Sequence, residues 1–363
     1  MNHCAKYFPA AKKTWVDLER CLRPTFCLCG TMQFTTRTST TLARSRAKLQ
    51  PQKRSAIPLV AGATEVSILR DPGVVTPEKL TKEALVELLV ANVEYRKGVL
   101  VAISKPPGIP ITGTESDVTL VSLLPRLGSR LGIKEELHVV KAATKESSGL
   151  VLLSTCHTTT KGLEDFFVMA RRRKKPVFTY CAVVIGIPDP EAGDIFGYLK
   201  LENIRGHNLV VVEKDPSRSN IESRDVKKTQ TYYKVLDSSE GCALVQLQPM
   251  SAFQSQLQVH ATLKLAPILG DHVYSARVGK VLGQPIFLPP EDALPRTQIL
   301  EDRLLQKMHI SQPQMHRMPL HLHLHQLLIQ DGGSGNVHTI TASPPPFFLR
   351  TLQLLGLTRN ITN

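Results

Sequence analysis

The sequence predicts an α+β fold with antiparallel strand pairing, and two observations carry the prediction. Thr229–Leu236 and Cys242–Gln248 alternate in strand fashion across Asp237-Ser238-Ser239-Glu240-Gly241, which is the pattern of a β-hairpin. Elsewhere amphipathic helical stretches are interleaved with short apolar runs, without the regular strand–helix–strand repeat of a parallel sheet. With 363 residues and 42% apolar composition, the chain is long enough to bury a sizeable core.

In chain order, Thr76-Pro77-Glu78 opens a helix with a cap residue, a proline at the first helical position and an early acid. Leu85, Leu88, Leu89 and Val93 keep helical spacing, and Gly98 ends the element. Val99–Ser104 reads as a buried strand, broken by Lys105-Pro106-Pro107-Gly108. A second helix spans Asp117 to about Arg130, with Leu120, Leu123, Leu124 and Leu127 on one side. Leu150–Leu153 is a strand, a third helix runs from about Thr159 to Arg172, and the strand Phe178–Ile185 closes at Gly186. After the hairpin comes a helix from about Gln254 to Leu265. The Pro-rich stretch 285–319 holds a charged helical piece and reads as an insertion, and Leu320–Ile329 resumes a strand. Residues 332–363, with Gly332-Gly333-Ser334-Gly335 and Pro344-Pro345-Pro346, read as a loose tail.

Residues 1–56 differ in kind from the rest. They hold eleven Lys or Arg against only Asp17 and Glu19, and Thr35–Arg46 is rich in Ser, Thr and Arg. This is the composition of a mitochondrial presequence, which addresses a protein to the matrix; the alternative is a basic RNA-binding tail. The leader carries +9 of the formal charge of +14, leaving +5 for the remainder. The body is thus only mildly basic, which suits an RNA partner without establishing one. Four of the seven cysteines (Cys4, Cys21, Cys27 and Cys29) fall in the leader, and Cys156, Cys181 and Cys242 are widely separated, so neither a disulfide framework nor a Cys-x-x-Cys metal pair is visible. No stretch approaches the roughly 20 apolar residues of a membrane span, which argues against membrane insertion.

The stretch Lys141 to Leu153 (Lys-Ala-Ala-Thr-Lys-Glu-Ser-Ser-Gly-Leu-Val-Leu-Leu) resembles the catalytic loop and following strand of RluA-type RNA pseudouridine synthases, written roughly Arg-Leu-Asp-x-x-Thr-Ser-Gly-Leu-Leu. Five more segments keep the family's order. Lys105-Pro106-Pro107-Gly108 resembles its Lys-Pro-x-Gly element, Lys175–Gly186 its Lys-x-Tyr-x-Ala-x-Val-x-Gly strand, and Lys228–Leu236 its Thr-x-Tyr-x-Val-Leu strand. Pro249–His260 with Ile268–Tyr274 resembles the region of Arg-x-His-Gln-Ile-Arg and Gly-Asp-x-x-Tyr, and Leu320-His321-Leu322 its Leu-His-Ala. The resemblance implies a pseudouridine synthase domain over about 60–331: a mixed, mostly antiparallel central sheet flanked by helices, with an RNA cleft across it. It also implies isomerisation of uridine to pseudouridine without cofactor or metal. Combined with the leader, it implies mitochondrial mRNA or rRNA as partner, a role in ribosome assembly or translation, and other mitochondrial RNA-processing proteins as associates.

Anchoring on Ser148-Gly149-Leu150 puts Thr144 where the family has its catalytic Asp. The family chemistry needs an anion, as nucleophile or base; a threonine hydroxyl is none unless a neighbouring base activates it, and loss of one general acid or base typically costs about 10² to 10⁴ in rate. Glu146 is the nearby carboxylate that a shifted loop would offer, or else a solvated loop acid. Aligning Gln256 with the family's Gln puts Phe253 and Gln258 at the two Arg positions and Ser255 at the His position, and neither Phe nor Gln replaces a bidentate guanidinium. Tyr180 matches the family's base-stacking pocket aromatic, unless it is an ordinary strand aromatic of the core. Arg171-Arg172-Arg173-Lys174-Lys175 with Lys105, Lys227, Lys228 and Gln256 are the candidate RNA contacts, the basic run alternatively being a solvated helix end. His321, His323 and His325 alternate with Leu and read as strand packing, since i, i+2 neighbours rarely converge on one metal. The alternative function is a catalytically degraded relative that binds RNA and supports mitochondrial rRNA stability.

Overall fold

The structure is a computed structural model, describing residues 66–70, 74, 76–114, 117–223, 225–330 and 336–357. The basic leader 1–56 lies outside the described residues. The first helix, α1 (Lys82–Ala91), begins later than the sequence predicts. Thr76 makes no side-chain cap bond and Pro77–Lys79 is a 3₁₀ turn, whereas the Thr81 hydroxyl accepts from Ala84 N at 3.2 Å and starts α1. The helix also stops sooner, because Val93 belongs to a strand: β1 (Val93–Lys97) turns through Gly98, at φ +56°, into β2 (Leu100–Lys105). Helix α2 (Leu120–Arg130) starts from a capping box between Thr119 and Ser122.

There follow β3 (His138–Ala142), β4 (Ser148–Ser154), α3 (His157–Arg172), β5 (Phe178–Ile185), β6 (Ala192–Ile204) and β7 (His207–Glu213). A short α4 (Arg218–Glu222) precedes β8 (Val226–Ser239), and Glu240 and Gly241, both at positive φ, make a two-residue turn into β9 (Cys242–Pro249). The hairpin is therefore longer than its sequence signature, with Asp237–Ser239 paired to β9. The chain ends with α5 (Gln256–Leu263), β10 (Val278–Val281), β11 (Gln284–Phe287), α6 (Asp302–Lys307), β12 (Leu322–Gln330), β13 (Val337–Thr341) and α7 (Pro346–Leu354).

Eleven strands form one mixed sheet in the order β1-β2-β4-β12-β5-β9-β8-β6-β7, with β3 on β4 and β13 on β12. Among the described residues only the β4–β12 pairing is parallel, and it is short: His323 opposes Ser148 and Leu324 opposes Gly149. Gly149 is required there. It sits at φ +115°, and a Cβ would collide with the Leu324 backbone.

Strand alternation divides the core. Phe178, Tyr180, Ala182 and Val184 of β5 face α3 and α5, while Cys181 and Val183 face α6 and α7. Helices α1 and α2 cover Val101, Ile103, Val151 and Leu153 at the other end of the sheet. The second face corrects two expectations. The 285–319 stretch is part of the core, contributing Leu304, Leu305, Met308 and Met315. The stretch 332–363 is not a loose tail over its described part. Its β13 pairs with β12, Pro346 stands in the first turn of α7 rather than in a linker, and Phe347 and Phe348 are fully buried, each such ring contributing roughly 1.5–3 kcal/mol. His321, His323 and His325 serve this packing. His321 Nε2 lies 2.7 Å from Thr351 Oγ1 on α7, and His323 bridges Ser148 Oγ at 3.0 Å and Ala342 O at 3.1 Å.

Candidate functional site

The loop between β3 and β4, residues 143–147, leaves the sheet beside the single parallel pairing and carries Thr144. It is held from beneath by Lys105. That ammonium is 1% exposed and donates to the carbonyls of Pro106 at 3.0 Å, Lys145 at 3.2 Å and Ser147 at 2.9 Å. Burial pulls its pKa down to about 7, with the charge of Glu146 opposing. Lys105 is thus a strut for the loop and not the RNA contact that the sequence suggests.

Above the loop lies a cavity of about 140 Å³. Its floor is Phe178, Tyr180 and Leu322, one wall is Lys141, Ala142, Thr144 and Ser147, and the other is the turn from Pro249 into the first turn of α5. Thr144, Tyr180, Gln256 and Arg171 line it together with Phe253, Ser255 and Gln258. Tyr180 is 9% exposed, and burial raises its pKa to about 12, so its hydroxyl keeps its proton. The Thr144 hydroxyl lies 2.9 Å from Ser147 Oγ, a partner that is no base. Among the described residues, none that lines the cavity carries a carboxylate or an imidazole.

Several expected contacts are placed elsewhere. Glu146 is exposed and lines a second cavity of about 450 Å³ with Gly108, Gln258 and Asp271. Gln256 borders the first cavity, but its amide is spent inside the fold. It donates to Gln230 O at 3.1 Å and Thr231 Oγ1 at 2.9 Å and accepts from Ser251 Oγ at 3.0 Å, so it clamps the start of α5 to β8. His260 continues that clamp, with its ring nitrogens 2.9 Å from the hydroxyls of Thr229 and Thr231. Arg172, Arg173, Lys174 and Lys175 are exposed and do not line the cavity. Lys227 ties down the far wall by donating to Ala252 O at 2.9 Å, and Lys228 is exposed on β8.

Two residues escaped sequence reasoning. Lys141 lines the cavity with its ammonium 4.8 Å from the Phe178 ring centre; burial lowers its pKa, and the charge of Arg171 lowers it further. It lies on β3, which the sequence did not predict, so nothing indicated which way it faced. Asp271 is 1% exposed. Its Oδ1 accepts from the backbone N–H groups of Val273 and Tyr274, both at 3.0 Å, while its Oδ2 has no hydrogen-bond partner. Burial pushes its pKa to about 6, opposed by those N–H groups and by Gln258, and raised further by Glu146. The signal for it was the Gly-Asp-x-x-Tyr match combined with Gln258 at an Arg position.

A mixed sheet with this loop, this strand tyrosine and this α5 turn around one pocket defines the class of RNA pseudouridine synthases. Residues 99–263 match the family described as RNA pseudouridylate synthase. The chain is 50% identical over 283 residues to human "Mitochondrial mRNA pseudouridine synthase RPUSD3", covering 77% of this chain and 80% of that protein. It is 31% identical over 297 residues to mouse "Pseudouridylate synthase RPUSD4, mitochondrial", covering 78% and 72%. The solved structure "Human RNA Pseudouridylate Synthase Domain Containing 4" superposes with a TM-score of 0.59 at 25% identity, covering 76% of this chain and 97% of that one. The chain belongs to the RNA pseudouridylate synthase family.

Proposed function

We propose that the protein acts on uridine in mitochondrial mRNA or rRNA, in the matrix, within pseudouridine formation, and thereby supports mitochondrial ribosome assembly or translation. Residues 1–56 would serve as its presequence, and other mitochondrial RNA-processing proteins as its associates. The observation that carries the reading is Tyr180 on the floor of a pocket built by the Thr144 loop and the α5 turn, where a flipped pyrimidine stacks on the ring. The names of the human and mouse relatives support the compartment and the RNA. Among the described residues no helix is long and apolar enough to cross a membrane.

A second reading is favoured by the absence of a carboxylate from the lining: an RNA-binding member without turnover of its own that supports mitochondrial rRNA stability. Isomerisation breaks the N-glycosidic bond and rejoins the base through carbon. Thr144, bonded to Ser147, supplies no anion for it, and Glu146 would have to cross from the second cavity. Base-resolution pseudouridine mapping of mitochondrial RNA in cells lacking the protein separates the readings. Add-back uses wild type and a Thr144→Ala, Glu146→Ala, Tyr180→Ala triple variant. A site that vanishes and returns only with wild type establishes modification through this pocket. An unchanged map, or equal rescue of RNA levels by both forms, establishes the binding role.

A further inference from the structure

Lys141 and Arg171 present an electrostatic problem within the pocket. Both line it, no acid lines it with them, and every ion pair among the described residues lies elsewhere. The two like charges are close enough that Arg171 disfavours the charged form of Lys141, which burial already disfavours. The aromatic face of Phe178, 4.8 Å from the Lys141 ammonium, offsets part of this cost but carries no formal charge. Two cations with no ion-pair partner among the described residues, converging on one half-enclosed cavity that no described acid lines, complement an anion. The cavity's other features are an aromatic floor and the hydroxyls of Thr144, Ser147 and Ser251, which suit a nucleoside attached to that anion.

We propose that Lys141 and Arg171 form a phosphate subsite, which takes the phosphate next to the uridine seated on Tyr180. The proposal rests on the reading of this pocket as a uridine site and adds to it how the strand is held. The phosphate belongs to an RNA strand or to a free uridine nucleotide, and the test separates the two. Lys141 comes from β3 and Arg171 from the last turn of α3, so the two cations approach the phosphate from different elements. Such a clamp fixes the position of the sugar relative to Tyr180 as well as adding affinity.

The test is fluorescence anisotropy with the full chain and a labelled oligouridine RNA across a KCl series, with competition by UMP, uridine and inorganic phosphate. Wild type is compared with Lys141→Gln, Arg171→Gln, the double variant and Lys141→Arg, each checked for an unchanged melting transition. Loss of the subsite should weaken RNA binding about tenfold or more and reduce the salt slope by about 0.7, the value for one phosphate on a single strand. Lys141→Arg should retain most of the affinity. A neutral methylphosphonate beside the seated uridine should cost wild type a similar factor and the double variant nothing further. If wild type binds RNA and the double variant matches it in affinity and slope, the subsite is wrong while the RNA reading stands. If wild type binds UMP over uridine through these cations but binds no RNA, the source is a free nucleotide and the RNA reading falls. If wild type binds neither RNA nor UMP nor phosphate, both fall.

Discussion

Lys105 and Asp271 are each 1% exposed, and both feel the charge of Glu146, yet the fold treats them oppositely. Lys105 has three carbonyl acceptors and holds the loop that carries Thr144. Asp271 keeps one oxygen bonded to two backbone N–H groups and leaves the other without a hydrogen-bond partner among the described residues, near Gln258 at a position where the family resemblance leads one to expect Arg. The difference separates what shapes the pocket from what would do chemistry in it. The strut under the loop and the Gln256–Thr231–His260 clamp under α5 are complete. Where the family resemblance leads one to expect a carboxylate and a guanidinium, the chain has Thr144 and Gln258.

The largest effect expected from this contrast is on stability. Lys105→Met leaves the carbonyls of Pro106 and Ser147 without their donor, while the Lys145 carbonyl keeps only the Gly108 N–H at 2.7 Å, and should cost about 3 kcal/mol or more, read by denaturant unfolding. A cost below about 1 kcal/mol would mean that the loop does not depend on the strut. Next comes a pH effect at Asp271. Its folded pKa, about 6, lies above the ordinary 3.8, so the folded state retains the proton longer. Its contribution is therefore fully present below the ordinary value and is lost as pH rises through about 6. Relative to Asp271→Asn, wild-type stability should fall over that window by of the order of 3 kcal/mol; a flat difference curve would show that the carboxylate has a partner.

A smaller gain is expected from Gln258→Arg. The adjoining cavity of about 450 Å³ gives the longer side chain room, and pairing with Asp271 should add about 1–2 kcal/mol, a gain that disappears in an Asp271→Asn background. The smallest effect concerns turnover. Thr144→Asp alone should leave tritium release from 5-tritiated uridine RNA near the wild-type level, because Phe253 and Gln258 still supply no guanidinium from the α5 wall to orient the new carboxylate, and Lys141 and Arg171 are assigned to the neighbouring phosphate. Vigorous release by that variant would show that the two positions matter less than the geometry implies.

The sequence was most legible where burial is strongest. Phe178–Ile185 matches β5 at both ends, because a strand buried along nearly its whole length is an unbroken apolar and β-branched run bounded by Gly186. Strands β6 and β7 were not legible. Their half-exposed faces carry Asp194, Lys200, Glu202 and Asn208 among the apolar residues, and their turn at Arg205-Gly206 lacks the usual Asn or Asp signal. The tail was misread because a proline triplet suggests a linker, although Pro346 is well placed to begin a helix. In the site, the family resemblance singled out Thr144, Tyr180 and Gln256, and all three line one pocket. It did not show that Lys105 points inward or that the Gln256 amide is spent on β8. Orientation depends on tertiary packing, which a linear motif does not encode.

The most direct test of a uridine pocket on an intact scaffold is photo-crosslinking of a 4-thiouridine-substituted mitochondrial transcript to the full chain, mapped by mass spectrometry. The account predicts crosslinks to Tyr180 on β5 and to residues 249–258 on the opposite wall, reduced by Tyr180→Ala. Crosslinks confined to the exposed Arg172–Lys175 run and Lys228, with none in the cavity and no response to Tyr180→Ala, would contradict it.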